Sequence, residues 1–356
     1  MTARQWAGKA GEALVREWVL CASAAGLVAT TLYRGELPSY SLTDLEVLYI
    51  LFVLLVTVKG LERANVFSRV AALLRPGRLL PLQLVAATAV LSMVVTNDVA
   101  LFVAVPVTIA LDTDGRDLLV VLEALAANAG SALSPFGNPQ NLFIYWFYRL
   151  HPLEFVRTIA PFTAVCLGAI SLASLAVRHR PSGRPREHPP PITPGGRAYL
   201  AFLALFVLAV LRVAPLWVGA APLLYAAAAD RRSLRVDYAL LLIFACIFGL
   251  TDNVMALAPT TISGANETFW YAALGSQVMS NVPAAVLVAD FTRLWKPLLW
   301  GVSVGGFGSI IASLANLIAY RLYRGHTPSP SAFLVKLHAG GYLAFAVGCT
   351  AYLVLR

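Results

Sequence analysis

Charged side chains are what this chain has least of. Asp, Glu, Lys and Arg make up 13% of its 356 residues, against roughly a quarter in ordinary soluble domains, and 59% of the chain is hydrophobic. That balance excludes a soluble domain and predicts an integral membrane protein. The ~10-residue alternating segments of a membrane β-barrel are absent as well; several apolar runs instead approach or exceed the ~20 residues that carry a helix across the hydrocarbon. Cysteine is equally sparse. Cys21, Cys166, Cys246 and Cys349 all lie inside apolar runs without a CxxC spacing, which excludes a disulfide framework or thiol redox motif and leaves membrane-packed thiols. The five histidines, His151, His179, His188, His326 and His338, have no metal-site spacing. No ATP-binding motif occurs, so ATP coupling would require a separate subunit.

The apolar runs predict nine crossing helices, at about 17–33, 43–61, 117–150, 156–178, 198–212, 214–229, 238–257, 297–324 and 331–354. Residues 1–16 form a polar helical lead-in without a signal-peptide cleavage pattern, so 17–33 is read as a retained first span. Two further apolar stretches, 80–111 and 265–292, each carry a polar tip near the middle and are read as re-entrant hairpins. The net charge of +9 is scattered through the connecting loops rather than gathered on one face, which points to topology and not to nucleic acid. Most basic residues, including Arg63, Arg69, Arg75, Arg78, Arg231, Arg232 and Arg235, fall on one side if the N-terminus is cytoplasmic and the C-terminus outside. The Pro-, Gly- and Arg-rich segment 179–197 reads as a cytoplasmic linker between two halves, 1–178 and 198–356.

Those halves repeat one another. Gly130 to Arg149 (GSALSPFGNPQNLFIYWFYR) and Gly305 to Arg324 (GGFGSIIASLANLIAYRLYR) share Gly130/Gly305, Ser134/Ser309, Asn141/Asn316, Leu142/Leu317, Tyr145/Tyr320, Tyr148/Tyr323 and Arg149/Arg324. Upstream of each lies a hydroxyl-Asn pair, Thr96-Asn97 in VVTNDVA and Ser280-Asn281 in VMSNVPA. An odd number of crossings separates equivalent positions, so the halves are inverted, which is a design of secondary transporters. The span 198–212 has no partner in the first half.

Polar, Gly- and Pro-rich sequence at membrane depth is tolerated only where it is buried in protein or lines a cavity. In a hairpin tip or broken helix, unpaired N–H groups attract anions and unwound carbonyls coordinate cations. The glycines Gly130, Gly137, Gly305, Gly306 and Gly308 are expected to let the backbone unwind, while Pro135 and Pro139 stop the first long helix. Asp98 follows Asn97 directly, and a carboxylate at that depth is a functional candidate. Glu123 and Asp252 are the other candidates for proton or cation coupling, set against pairing with an Arg or capping a helix. Lys59, Glu62 and Arg63 are expected to snorkel to the interface.

At these strings the chain resembles the ion transporter superfamily, specifically the citrate-transporter-like domain shared by arsenical-pump permeases, NhaD-type sodium/proton antiporters and sodium-coupled dicarboxylate transporters. TNDVALFVAVP with NAGSALSPFGNPQN, and SNVPAAVLVADF with GGFGSIIASLAN, look like that family's paired signatures. The resemblance implies an all-α inverted-repeat transporter with two hairpins (80–111, 265–292) and two broken helices (117–150, 297–324). It also implies one ion site at Thr96, Asn97, Gly137 and Asn138 and another at Ser280, Asn281, Gly308, Ser309 and Ser313; the repeated Asn141 and Asn316 complete the candidate set. Where the carboxylate branch carries Thr at the third tip position, this chain has Asp98 and Val282. The expectation is a secondary active transporter in the cell membrane for a small inorganic or organic anion, arsenite- or carboxylate-like, coupled to H⁺ or Na⁺. It would have no cofactor beyond Na⁺, and its partners would be the substrate ion and the bilayer, with a homodimer and a separate ATPase subunit left open. Na⁺/H⁺ antiport through Asp98 is the second reading. An intramembrane enzyme built on an Asp98–Asp252 pair is the remote third, since catalysis has no need of two inverted half-sites.

Overall fold

The computed structural model describes residues 18–67, 69, 77–110, 115–177, 191–257 and 260–355; the lead-in 1–17, Arg75 and most of the linker, 178–190, lie outside them. Among the described residues there are fifteen α-helices and no strand. In the first half, α1 (Trp18–Arg34) and α2 (Leu42–Arg63) precede the hairpin arms α3 (Leu80–Val94) and α4 (Asn97–Ile109), the broken helix α5 (Arg116–Ser131) and α6 (Pro139–Phe147), and α7 (Pro152–Ser174). The second half comprises α8 (Pro194–Val210), α9 (Ala220–Ala229) behind a 3-10 turn at Leu216–Gly219, α10 (Tyr238–Leu257), the arms α11 (Ala265–Met279) and α12 (Asn281–Ala289), the broken helix α13 (Trp295–Gly305) and α14 (Leu314–Tyr323), and α15 (Pro330–Leu355). Three helical stretches, Pro152–Ser174, Arg231–Leu257 and Pro330–Leu355, are each long and apolar enough to cross a membrane alone. The interrupted helices are too short for that and must be paired.

Local chemistry sets the ends of these elements. Ser41 and Asp44 close a reciprocal capping box at the start of α2, with the Ser41 N–H donating to Asp44 Oδ2 at 2.8 Å. Pro139 stands at the first position of α6 and Asn138 caps it, its Oδ1 accepting from Asn141 N at 2.9 Å. The far end of α6 leaves carbonyls open, and Arg212, at the end of α8, donates to Tyr145 O, Trp146 O and Leu150 O while lying over the Trp146 ring at 4.7 Å. The unpartnered span of the second half thereby seals the first half's broken helix.

Both apolar stretches fold back on themselves. In the second, Ile262 N donates to Phe291 O at 2.6 Å and Thr268 Oγ1 lies 3.3 Å from Thr292 Oγ1, so the two ends of the hairpin are bound together while its tip lies at Ser280. In the first, α3 packs along α5 and α4 returns along the same helix, placing Asn97 beside Asn128 and Thr108 beside Glu123. The halves then interlock: α4 packs on α14 and α12 on α6, while α1 packs on α10 and α9 on α2. The last tyrosine of each repeated string explains its place. Tyr148 donates to Thr292 O at 2.8 Å, near the start of α13, and Tyr323 donates to Asp117 Oδ1 at 2.7 Å, at the start of α5. Each broken helix is therefore pinned to the entrance of the other.

Gly130 and Gly305 depart from the sequence expectation. Both remain helical, and their role is contact rather than unwinding. A Cβ on Gly130 would stand 2.5 Å from Ala89 O and 2.7 Å from Ser92 Oγ, and one on Gly305 3.1 Å from Ala273 O and 2.5 Å from Ser276 Oγ, at equivalent places on α3 and α11. Gly130→Ala and Gly305→Ala should each destabilise the protein by about 1–3 kcal/mol through overpacking. Gly168→Ala, with open space around it, should be neutral or stabilising by up to about 1 kcal/mol. Thermal unfolding of the three variants in detergent checks this; equal melting temperatures for all three would contradict the packing role.

Candidate functional site

Each hairpin tip docks on the break of its own half through one equivalent backbone bond. Asn97 N donates to Gly137 O at 3.1 Å, and Asn281 N donates to Ala312 O at 2.9 Å. The breaks are themselves held by the repeated asparagines. Asn141 Nδ2 donates to the carbonyls of Ser131, Ala132 and Ser134, and Asn316 Nδ2 to those of Gly306 and Ser309, which match Ser131 and Ser134. Asn141 and Asn316, taken from sequence as ion ligands, thus serve the backbone with their amide nitrogens. Asn138 Nδ2 donates to Ser131 Oγ at 3.0 Å. In the second break Gln277, whose counterpart is Met93, donates to Gly305 O and Phe307 O and accepts from Ser309 N. Gly308 adopts φ +94 there, where a Cβ would collide with the Gln277 side chain.

A residue two positions before the repeated Gly130, not shared by the second half, joins the halves. Asn128 Oδ1 accepts from Asn97 Nδ2 at 3.3 Å and from Ser313 Oγ at 2.9 Å, while its Nδ2 donates to Asn316 Oδ1 at 2.9 Å. A Cβ on Gly306 would lie 2.9 Å from Asn281 Nδ2 and 3.7 Å from Asn128 Oδ1, which brings the second tip to the same centre. Sequence reasoning missed Asn128 because its equivalent is Ser303, whose buried Oγ has no hydrogen-bond partner among the described residues. The available signal was an asparagine in an otherwise apolar run two residues before a repeated glycine.

The ends of eight helices meet at this centre. α4, α6, α12 and α14 begin at the tips and breaks, and α3, α5, α11 and α13 end there. N-termini present N–H groups and positive dipole ends; C-termini present carbonyls. Thr96 caps α4, its Oγ1 accepting from Val99 N at 3.3 Å. Ser280 instead sits at φ 76, a region costly for any residue but Gly, and makes no cap bond.

The three acids sit differently. Asp98 Oδ1 is buried without a hydrogen-bond partner among the described residues, and its backbone N–H is held by Asn97 Oδ1 at 3.0 Å. Glu123, 0% exposed, accepts from Thr108 Oγ1 at 2.6 Å and leaves Oε2 unpartnered; no arginine answers it. Asp252 Oδ2 pairs with Arg34 at 3.2 Å and accepts from Ser39 N at 2.9 Å, so it ties the α1–α2 connection to α10. Asp98 and Asp252 share no hydrogen bond. Lys59 and Glu62 form an ion pair at 2.9 Å. No group of three or more metal-binding side chains occurs among the described residues.

Two cavities reach the half-sites at equivalent positions. One, of about 140 Å³, is lined by Thr96, Asn138, Pro139 and Leu142; the other, of about 1010 Å³, by Ser280, Ser313, Leu314 and Leu317. Asp237 and Leu240, at the start of α10, line both.

A family profile described as citrate transporter matches residues 9–335. The chain belongs to the citrate transporter family. It is 30% identical over 310 residues to an uncharacterized transporter of Methanocaldococcus jannaschii, covering 81% of this chain and 83% of the relative. It is 35% identical over 291 residues to the inner membrane protein YbiR of Escherichia coli, covering 76% and 77%. A shorter match, 30% over 147 residues, joins it to a silicon efflux transporter of Oryza sativa, covering 39% of this chain and 30% of that one. The all-helical fold read from the sequence agrees with this family, whose members are transporters.

In this citrate transporter family member the central amides form a network whose members depend on one another. Asn128→Ala leaves Asn97 Nδ2 and Asn316 Oδ1 without their partner and should cost about 1–3 kcal/mol. Ser303→Ala removes a hydroxyl that bonds nothing and should be neutral or stabilising. Thermal unfolding in detergent separates the two; equal losses would contradict Asn128 as the bridge between halves.

Proposed function

We propose that this protein is a secondary active transporter that moves a small inorganic or organic anion, arsenite- or carboxylate-like, across the cell membrane, coupled to H⁺ or Na⁺. The observation that carries this reading is the convergence of four helix N-termini and four helix C-termini on neutral amides and hydroxyls. The N-termini favour an anion, and the C-terminal carbonyls favour a coupling cation. Thr96, Asn97, Gly137 and Asn138 hold one ion position in this scheme, and Ser280, Asn281, Gly308, Ser309 and Ser313 the other. The names of the family and of the rice relative bracket the substrate class, citrate at one end and silicon at the other. Asp98 and Glu123 supply carboxyl oxygens that no protein donor occupies, which suits proton carriage. The hairpins and broken helices would move as a unit against α1, α2, α8, α9 and α10, with the N-terminus cytoplasmic and the C-terminus outside.

Na⁺/H⁺ antiport is favoured by one observation: among the described residues no lysine or arginine makes a hydrogen bond within the central amide network, while Asp98 lies beside it. Uptake into proteoliposomes with imposed Na⁺ or H⁺ gradients, across a panel of anions, separates the two readings. Asn97→Ala and Asn281→Ala should each abolish uptake while the protein still inserts. Full uptake in both would remove the tips from the site. Asp98→Asn should flatten the dependence of transport on pH, and an unchanged pH profile would rule out Asp98 as the coupling group.

A further inference from the structure

The two cavities occupy equivalent positions in the repeat but differ in what lies beyond the half-site. Arg321 and Arg324 line the larger one. Both are on α14, in its last turn and at its C-cap, and neither guanidinium has an ion-pair or hydrogen-bond partner among the described residues. Several other basic groups are engaged, Arg34 with Glu36 and Asp252, Arg63 with Asp230, Lys336 with Asp117, and Arg212 with three carbonyls, so what sets Arg321 and Arg324 apart is that both line one cavity. At the other end of α14, Ser313 caps the helix and shares the cavity with Ser280. The helix has 10 residues, so the arginines stand roughly 15 Å from the half-site along one wall.

We infer that this cavity is an anion-recruiting vestibule, in which Arg321 and Arg324 bind a carboxylate or oxyanion and pass it along α14 to Ser280 and Ser313. The inference rests on the transport reading for its direction and on the cavity for its chemistry. Two guanidiniums in a concave, apolar-walled space concentrate field and raise the local concentration of an anion, and their planar forks suit bidentate oxygen ligands. Tyr320 adds a phenol to the same wall. The one acid lining the cavity, Asp237, has Oδ1 engaged by Ala239 N at 3.0 Å and Leu240 N at 3.3 Å as the cap of α10. It borders the vestibule and sets a repulsive limit on the side shared with the smaller cavity. That smaller space, with the Lys59–Glu62 pair on its wall, offers Arg235 alone as an unpaired cation.

The test is equilibrium dialysis of radiolabelled citrate against the purified full-length protein at low and at high ionic strength. Wild-type binding should weaken as salt rises, because cavity charges are screened over about 10 Å. Arg321→Gln/Arg324→Gln should weaken binding at low salt by at least about tenfold and remove the salt dependence. Arg321→Lys/Arg324→Lys should retain most of the binding, and Arg231→Gln/Arg232→Gln, which removes the same charge elsewhere, should retain all of it. Wild-type affinity in the double Gln variant, equal loss in both Gln pairs, or no citrate binding by wild type would overturn the vestibule. Binding without uptake in proteoliposomes would leave the vestibule standing and defeat the transport reading. Gradient-driven uptake of an anion that is unchanged in Arg321→Gln/Arg324→Gln would do the reverse.

Discussion

A helix interrupted inside a membrane exposes carbonyls and amides that no water can satisfy, each costing several kcal/mol if left open. This fold meets that constraint twice with the same side chain. Asn141 and Asn316 turn their amide nitrogens onto the carbonyls released at the two breaks, and the tips close the arrangement through Asn97 N and Asn281 N. Everything else at the centre depends on the breaks holding their shape. The N-termini of α6 and α14 point at the site because their chains restart there, and Asn128 can bridge the halves only because Ser313 and Asn316 are fixed.

Much of this was legible in the chain because membrane burial writes itself in composition. The nine apolar runs and two interrupted ones became helices with ends displaced by a few residues, since Pro139, Pro152, Pro194 and Pro330 each open a helix. The repeated strings located the breaks for a physical reason: the same backbone groups need the same partners in both halves. Repetition could not say which repeated residues face a ligand and which serve the scaffold. Gly130 and Gly305 belong to the second kind, held by local packing; Asn141 and Asn316 serve the backbone with their amide nitrogens, while Asn141 Oδ1 stays buried without a hydrogen-bond partner among the described residues. Asn128 carries the link between halves and left no mark in the repeat, because a bridge across a pseudo-symmetry axis needs only one residue.

Asymmetry within the repeat is where the two half-sites acquire different properties. The first break is stiffened covalently, by the rings of Pro135 and Pro139, and its tip is relaxed, with Thr96 extended at φ −162 and capping α4. The second has no proline between Gly305 and Leu314. It relies on Gln277 and on the backbone of α15, where Gly341 lies so close to Gly308 O that no side chain would fit. Hydrogen bonds from one glutamine can be exchanged for bonds to a ligand; a proline ring cannot.

Ser280 adds to that contrast. A serine at φ 76 sits in a region that costs about 1–3 kcal/mol and persists only where its surroundings enforce it. Beside it stand the bond from Asn281 N to Ala312 O and the Gln277 clamp on the second break. The strained tip, the glutamine clamp and the larger cavity all fall in the second half, and Ser280 lines that cavity. The first half, by contrast, combines a relaxed tip, a proline-stiffened break and a cavity of about 140 Å³. A two-fold design with equal halves would give both sites the same stiffness. Here the sequence differences at Met93/Gln277, Leu133/Gly308 and Pro139/Leu314 make one half-site rigid and leave the other held by contacts that a ligand can replace.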